Sequence, residues 1–173
     1  TAARIKEEFK DSFAYIFTTE HELTEGELKG KASNQNHCGR YLYDRIRELG
    51  IDPGKVLFTS NDADVLNDPQ YPTYLLHTYL SAGPDRDCYI YQPIPTDYNN
   101  FWSAPFFSRI IVSTGVLWRI ALQVRSDYRC TVYSFYSMTL KTLREIGFWD
   151  TDLIPEDEHT MFKAILAFGE RFR

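Results

Sequence analysis

Lys55-Val56-Leu57-Phe58-Thr59-Ser60-Asn61-Asp62-Ala63-Asp64 is the stretch on which the reading of this chain turns. Its β-prone first half stops abruptly in two carboxylates one residue apart. On a strand, side chains at i and i+2 share a face, so Asp62 and Asp64 are expected to project together beyond the strand end. Two carboxylates there suit a hard divalent cation, Mg²⁺ or Mn²⁺, whose remaining ligands are water and substrate phosphates. The same Asp-x-Asp pattern is also ordinary turn chemistry.

Around this stretch, strand and helix patterns alternate. Ala2–Phe9 has a short charged helical pattern, and Phe13-Ala14-Tyr15-Ile16-Phe17-Thr18 has a strand pattern. A helix follows from about Lys31 to Leu49, then a turn at Ile51-Asp52-Pro53-Gly54, where Pro fixes one torsion and Gly supplies the unusual one. A helix over 72–80, a strand at 87–92, a polar loop over 93–100, a helix over 105–124, a strand at 131–135 and helices over 139–146 and 156–168 complete the series. Alternation of this kind predicts βαβ crossovers: an α/β fold with a mainly parallel sheet flanked by helices, and ligands gathered at the carboxyl ends of the strands.

The composition is that of one ordinary globular domain spanning residues 1–173, with 43% hydrophobic and 25% charged residues. A formal charge of −5 excludes a diffuse basic footprint for nucleic acid. Aromatic residues reach 16%, and clusters such as Phe101-Trp102, Phe106-Phe107 and Phe148-Trp149 suit sugar stacking, a partner surface or core. Cys38, Cys88 and Cys130 are odd in number and widely spaced, against a disulfide framework or zinc spacing, and point to a reducing cytosolic setting. No stretch of about 18 uncharged apolar residues is present. The 105–124 helix carries apolar residues on more than one face together with Arg109, Arg119 and Arg125, a pattern compatible with a membrane surface or with burial.

Two further segments carry chemistry. Lys29-Gly30-Lys31-Ala32-Ser33-Asn34 opens a helix, with Ser33 or Asn34 as cap, and combines backbone N–H groups with ammonium charge for an anion; Lys31 and Asn34 are its substrate-binding candidates. Ile154-Pro155-Glu156-Asp157-Glu158-His159 begins another helix with acids that also serve the helix dipole.

In this order, the segments resemble the inverting glycosyltransferases of family two, which have the nucleotide-sugar-binding GT-A fold. The likeness runs from about Phe13 to the C-terminus and includes Leu140-Lys141-Thr142-Leu143-Arg144-Glu145-Ile146-Gly147-Phe148-Trp149-Asp150 leading into Glu156-Asp157. It implies metal-dependent transfer from a nucleotide-diphosphate sugar to an acceptor hydroxyl on a carbohydrate or lipid-linked acceptor. Asp62 and Asp64 would hold Mn²⁺ or Mg²⁺ and, through it, the diphosphate. Asp157 would be the general base, Glu156 and Trp149 would place substrate, and His159 would complete the metal shell or orient the diphosphate.

The strand, loop and helix that cradle the nucleotide base in such enzymes do not precede Thr1, and the Gln-x-x-Arg-Trp element of processive members does not follow the acidic helix. The chain is therefore expected to be the central and C-terminal part of a longer catalytic domain at the cytosolic face of a membrane, with weak donor binding and a tendency to self-associate. Two other classes fit some of the same residues. One is a phosphohydrolase or nuclease holding two cations on Asp62, Asp64, Glu156 and Asp157. The other is a non-catalytic domain that docks on membrane or protein through the 105–124 helix.

Overall fold

The computed structural model describes residues 2–96, 99, 101–125 and 132–173. Six α-helices are described: α1 (Ala2–Phe9), α2 (Lys31–Glu48), α3 (Tyr71–Ser81), α4 (Phe106–Gln123), α5 (Leu140–Glu145) and α6 (Glu156–Phe168). The strands are β1 (Leu57–Ser60) and β2 (Tyr136–Thr139).

The expected mainly parallel sheet of a GT-A-like fold is not what forms. The described residues are 53% helical, and their one sheet has two antiparallel strands, with Leu57 opposite Thr139 and Ser60 opposite Tyr136. The other edge of β2 receives a single antiparallel bridge between Ser137 and Tyr91. Local β preference did not decide pairing elsewhere. Phe13–Thr18 is extended but pairs with no strand; Phe17 lies edge-on to Tyr41 of α2. The segment expected as a strand at 87–92 begins in a 3-10 turn, Arg86–Cys88. The strand expected at 131–135 lies further on, at β2; Thr131 is outside the described residues.

Packing explains why β2 is the central strand. All four of its residues are buried, so both of its faces are covered. Tyr136 and Met138 sit in a core with Leu140, Leu143, Phe148 and Trp149, closed from below by Met161, Ala164 and Phe168 of α6. α5 ends in a Schellman motif: the Phe148 amide donates to the Leu143 carbonyl at 2.9 Å and the Gly147 amide to that of Arg144 at 3.1 Å. Gly147 has φ 81° and Phe148 φ 62°, so two successive left-handed residues turn both the Phe148 and Trp149 rings into the core.

Trp149 is 4% exposed, edge-on to Phe58, and its indole N–H donates to the Tyr136 hydroxyl at 2.6 Å. The ring belongs to the core, and it also lines a cavity of about 210 Å³ with Gln35, Phe58, Ser60 and Asn61 beside the end of β1. Cys38 and Cys88 are free thiols, and Cys130 lies outside the described residues.

α2 reaches this core through Gly39. A methyl group there would lie 2.7 Å from Trp149 Cζ3 and 3.3 Å from Phe148 Cδ1. Gly39→Ala is therefore expected to lower the stability of the fold by about 2 kcal/mol, overpacking outweighing the helix-propensity gain of about 1 kcal/mol. Gly115→Ala in α4, which meets nothing within 4 Å, should be neutral or stabilising. Urea unfolding of the two variants side by side checks the contrast.

Candidate functional site

The two ends that matter are the start of α2 and the start of α6, with the end of β1 between them. α2 begins at Lys31 with Gly30 before it; neither Ser33 nor Asn34 caps it. Ser33 is buried instead, and its hydroxyl donates to the Leu28 carbonyl, while exposed Asn34 bonds His21 through Oδ1 at 3.2 Å. Lys31 thus projects alone from the first turn of the helix, and its ammonium finds carboxylates.

Lys31 Nζ lies 2.9 Å from Asp62 Oδ1, 3.1 Å from Glu156 Oε1 and 3.7 Å from Asp157 Oδ1, and donates to the Ser134 carbonyl at 3.4 Å. One ammonium therefore ties together residues from the ends of α2, β1 and α6 and the segment before β2. Sequence reading placed Lys31 against a substrate anion; here its partners are the protein's own acids. Burial by itself would lower its pKa, but the hydrogen bond to Asp62 and the charges of Asp157 and Glu156 outweigh that and hold it above its usual value.

Three carboxylates and one ammonium leave this cluster with an excess of negative charge. Asp157 absorbs the consequence. Burial, aided by the neighbouring Glu156 charge and opposed by Lys31, pushes its pKa up from 3.8 to about 6. Its Oδ1 is closed to solvent and has no hydrogen-bond donor. A half-buried carboxylate with a pKa of about 6 is half-protonated near pH 6, and so has the chemistry to take up or release a proton close to neutral pH. The α6 N-terminus favours its anion and partly offsets the cost of burial.

Asp64 does not join this group. After Ser60 the chain leaves the strand and turns, with the Val65 amide donating to the Asp62 carbonyl at 3.2 Å. The shared-face argument, which holds along a strand, ends there. Asp64 is exposed, makes no ion pair among the described residues, and uses its backbone carbonyl to accept from Asn99 Nδ2 at 2.9 Å. Asp97, Tyr98 and Asn100 of the same loop lie outside the described residues. His159 Nδ1 is 2.7 Å from Asp150 Oδ2, and Lys163 Nζ is 3.0 Å from Asp150 Oδ1. His159 is thereby anchored to Asp150 and stands apart from Asp62.

Among the described residues no group of three or more His, Cys, Asp and Glu side chains is arranged to hold a metal ion. Asp62 and Asp64 offer the oxygen donors that a hard divalent cation takes, but Asp64 stands apart and Lys31 Nζ already lies 2.9 Å from Asp62, so a cation here requires Lys31 to turn away. Sequence reading missed the Ser134 carbonyl, the partner of Lys31, and Gln35, whose amide donates to Ser60 Oγ at 2.5 Å beside Asn61. Neither carries a motif. Both become relevant only through the pairing of β1 with β2.

The chain matches no protein-family model, no curated protein and no solved structure. Functional argument therefore rests on the chemistry of the site.

A stability prediction follows from the sign of the Asp157 shift. Its proton is held more tightly in the folded state than in the unfolded chain. The stability linked to it is complete below pH 3.8 and is lost as the pH rises through about 6. Asp157→Asn is expected to stabilise the fold at pH 8 by about 1–2 kcal/mol, with the gain vanishing toward pH 4. Lys31→Met should have the opposite effect at pH 8, by about 2 kcal/mol. Denaturant midpoints across this pH range check both.

Proposed function

We propose that this chain carries the acceptor-activating side of a metal-dependent glycosyltransferase that moves a sugar, with inversion, from a nucleotide-diphosphate sugar to an acceptor hydroxyl. The observation that carries the reading is the convergence of Asp62 and Asp157 on one ammonium, although 157 − 62 = 95 positions separate them in the chain. The reading also draws on the order of the Lys31, Asp62–Asp64 and Glu156–Asp157 segments.

In this reading Asp157 accepts the proton of the acceptor hydroxyl. The acceptor oxygen then forms a bond to the anomeric carbon as the bond from that carbon to the diphosphate oxygen breaks, and the diphosphate leaves with the electron pair. Inversion requires base and leaving group on opposite sides of the sugar. Asp62 and Asp64 are the residues that would hold Mn²⁺ or Mg²⁺, which supplies charge neutralisation for the diphosphate. Glu156 helps hold Lys31 beside Asp157, and its charge raises the proton affinity of the base. Lys31 has a second use: when a diphosphate enters, its ammonium can turn from the carboxylates to the phosphate oxygens, which raises the basicity of Asp157 as substrate arrives.

A two-cation phosphohydrolase would need Asp62, Asp64, Glu156 and Asp157 to share two metal ions. Lys31 pairs with three of those acids and would have to leave all of them to admit two cations, whereas a single cation on Asp62 and Asp64 requires it to leave Asp62 alone, so the single-base reading is preferred.

Asp157→Asn is expected to lower turnover by about 10²-fold or more, while Mn²⁺-dependent binding of a uridine or guanosine diphosphate sugar stays nearly unchanged. In the unsubstituted protein, transfer should rise with pH through about 6, as Asp157 ionises. Calorimetry for binding and a sugar-transfer assay across pH test the pair. Equal loss of binding and turnover would make Asp157 a ligand for donor or metal, and sugar-nucleotide binding indifferent to Mn²⁺ would remove the metal from the reading.

A further inference from the structure

α4 is built inside out. Only Val116 of its 18 residues is buried. Phe106, Phe107, Ile110, Ile111, Leu117 and Trp118 are all exposed, Phe107 at 76% and Trp118 at 66%. At 3.6 residues per turn these six side chains fall within an arc of about 140°, so they form one continuous apolar face, with Thr114 and Ala121 its other members. Trp102, in the 3-10 turn just before the helix, is 82% exposed and extends the apolar surface. Single exposed apolar residues are ordinary; a whole helical face of them marks an interaction surface. No helix of the described residues is long and apolar enough to cross a membrane.

Charge indicates the occupant. The chain is formally −5, yet from Phe101 to Arg125 there are three arginines and no acidic residue. Arg109 lies beside the apolar face in a cavity of about 430 Å³ lined by Phe101, Phe106, Ile110, Ser113 and Thr114. Among the described residues its guanidinium has no ion-pair or hydrogen-bond partner. Nε is shut from solvent, and the group's contacts are with the faces of Trp102 and Phe106, at 5.9 and 6.0 Å. A guanidinium at the mouth of an apolar, aromatic-rimmed surface cavity, with its Nε shut from solvent and without a partner, suits an anion that comes with apolar chains attached.

We propose that α4 is a docking surface for an anionic lipid bilayer. The Phe106–Trp118 face enters the boundary between headgroups and acyl chains, and Arg109 takes a lipid phosphate. Aromatic and aliphatic burial supplies the binding, and Arg109 supplies the preference for negative headgroups.

The position of α4 gives this surface a consequence for the site. Asn99, shortly before the helix, bonds the Asp64 carbonyl, and Arg119 of the helix lies 5.9 Å from the ring of Tyr133, the neighbour of Ser134, whose carbonyl receives Lys31. These contacts tie α4 and the segment before it to chain segments next to the Asp62–Asp157 cluster, and on the sugar-transfer reading a bilayer under α4 presents a lipid-linked acceptor. That last step rests on the sugar-transfer reading; the docking itself does not.

The test is flotation of the protein with vesicles of phosphatidylcholine alone and of phosphatidylcholine with phosphatidylserine, in the absence of metal and sugar nucleotide. Binding to the anionic vesicles, weakened by salt and accompanied by a blue shift of tryptophan emission, is expected. Phe107→Ser with Trp118→Ser should weaken it by about tenfold or more, and Arg109→Gln by about fivefold. Because these side chains are exposed or lie at a surface cavity, the variants should keep the circular dichroism and urea midpoint of the parent. Absence of vesicle binding overturns the proposal, as does binding equal in the variants or equal on neutral vesicles. So does an α4-dependent dimer that floats with neither, since a second copy would then cover the face. A protein that binds vesicles but no sugar nucleotide would leave the docking surface standing and sink the transfer reading alone.

Discussion

The Lys31 ammonium is the point at which the parts of this fold that carry chemistry are joined. It lies at the start of α2 and holds Asp62 from the end of β1 and both Glu156 and Asp157 from the start of α6. Each of those ends was shaped by local chemistry alone: a glycine before a helix, a strand running out into a turn, three acids in a first helical turn. Only the antiparallel pairing of β1 with β2, with α5 and α6 packed on it, brings them within reach of one charge. Because the acids outnumber the cation, the cluster carries a built-in electrostatic conflict, and the proton affinity of Asp157 is its outlet. Such a conflict lowers stability at neutral pH and is the usual mark of a site kept for function.

The helices were legible in the sequence because their evidence is local. The apolar spacing over α2 to α6, the Thr139 cap whose hydroxyl accepts from the Thr142 amide, and Gly147 after α5 all lie within a few residues of what they specify. The sheet was not. Strand direction and partner depend on contacts such as Leu57 with Thr139, 82 positions apart by 139 − 57, and nothing in either strand states whether they run parallel or antiparallel. Phe13–Thr18 shows the converse: strong β preference with no strand pairing among the described residues.

At the site, residue types were readable and roles were less so. Asp62 and Asp157 both reach Lys31, but through an antiparallel pair and not through the parallel sheet from which their proximity was expected. Lys31 in a glycine-bounded helix start reads equally well as an anion binder or as a partner for carboxylates, and only the tertiary structure shows which contact the protein itself makes. Trp149 is a related case: beside a motif it reads as a substrate platform, and the structure adds that its ring is held in the core against Phe58 and Tyr136. The reverse holds in α4, where periodicity showed a helix and left open whether its apolar residues face inward; the structure turns them out.

The account depends most on Asp157 being a half-buried carboxylate whose proton affinity is set by the cluster. Carboxyl-carbon NMR of the protein labelled at aspartate, titrated in parallel with Lys31→Met, measures this directly. The account predicts that the Asp157 resonance titrates at about 6 and moves to higher pH when Lys31 loses its charge. A midpoint at the ordinary 3.8, unmoved by the loss of Lys31, would contradict it.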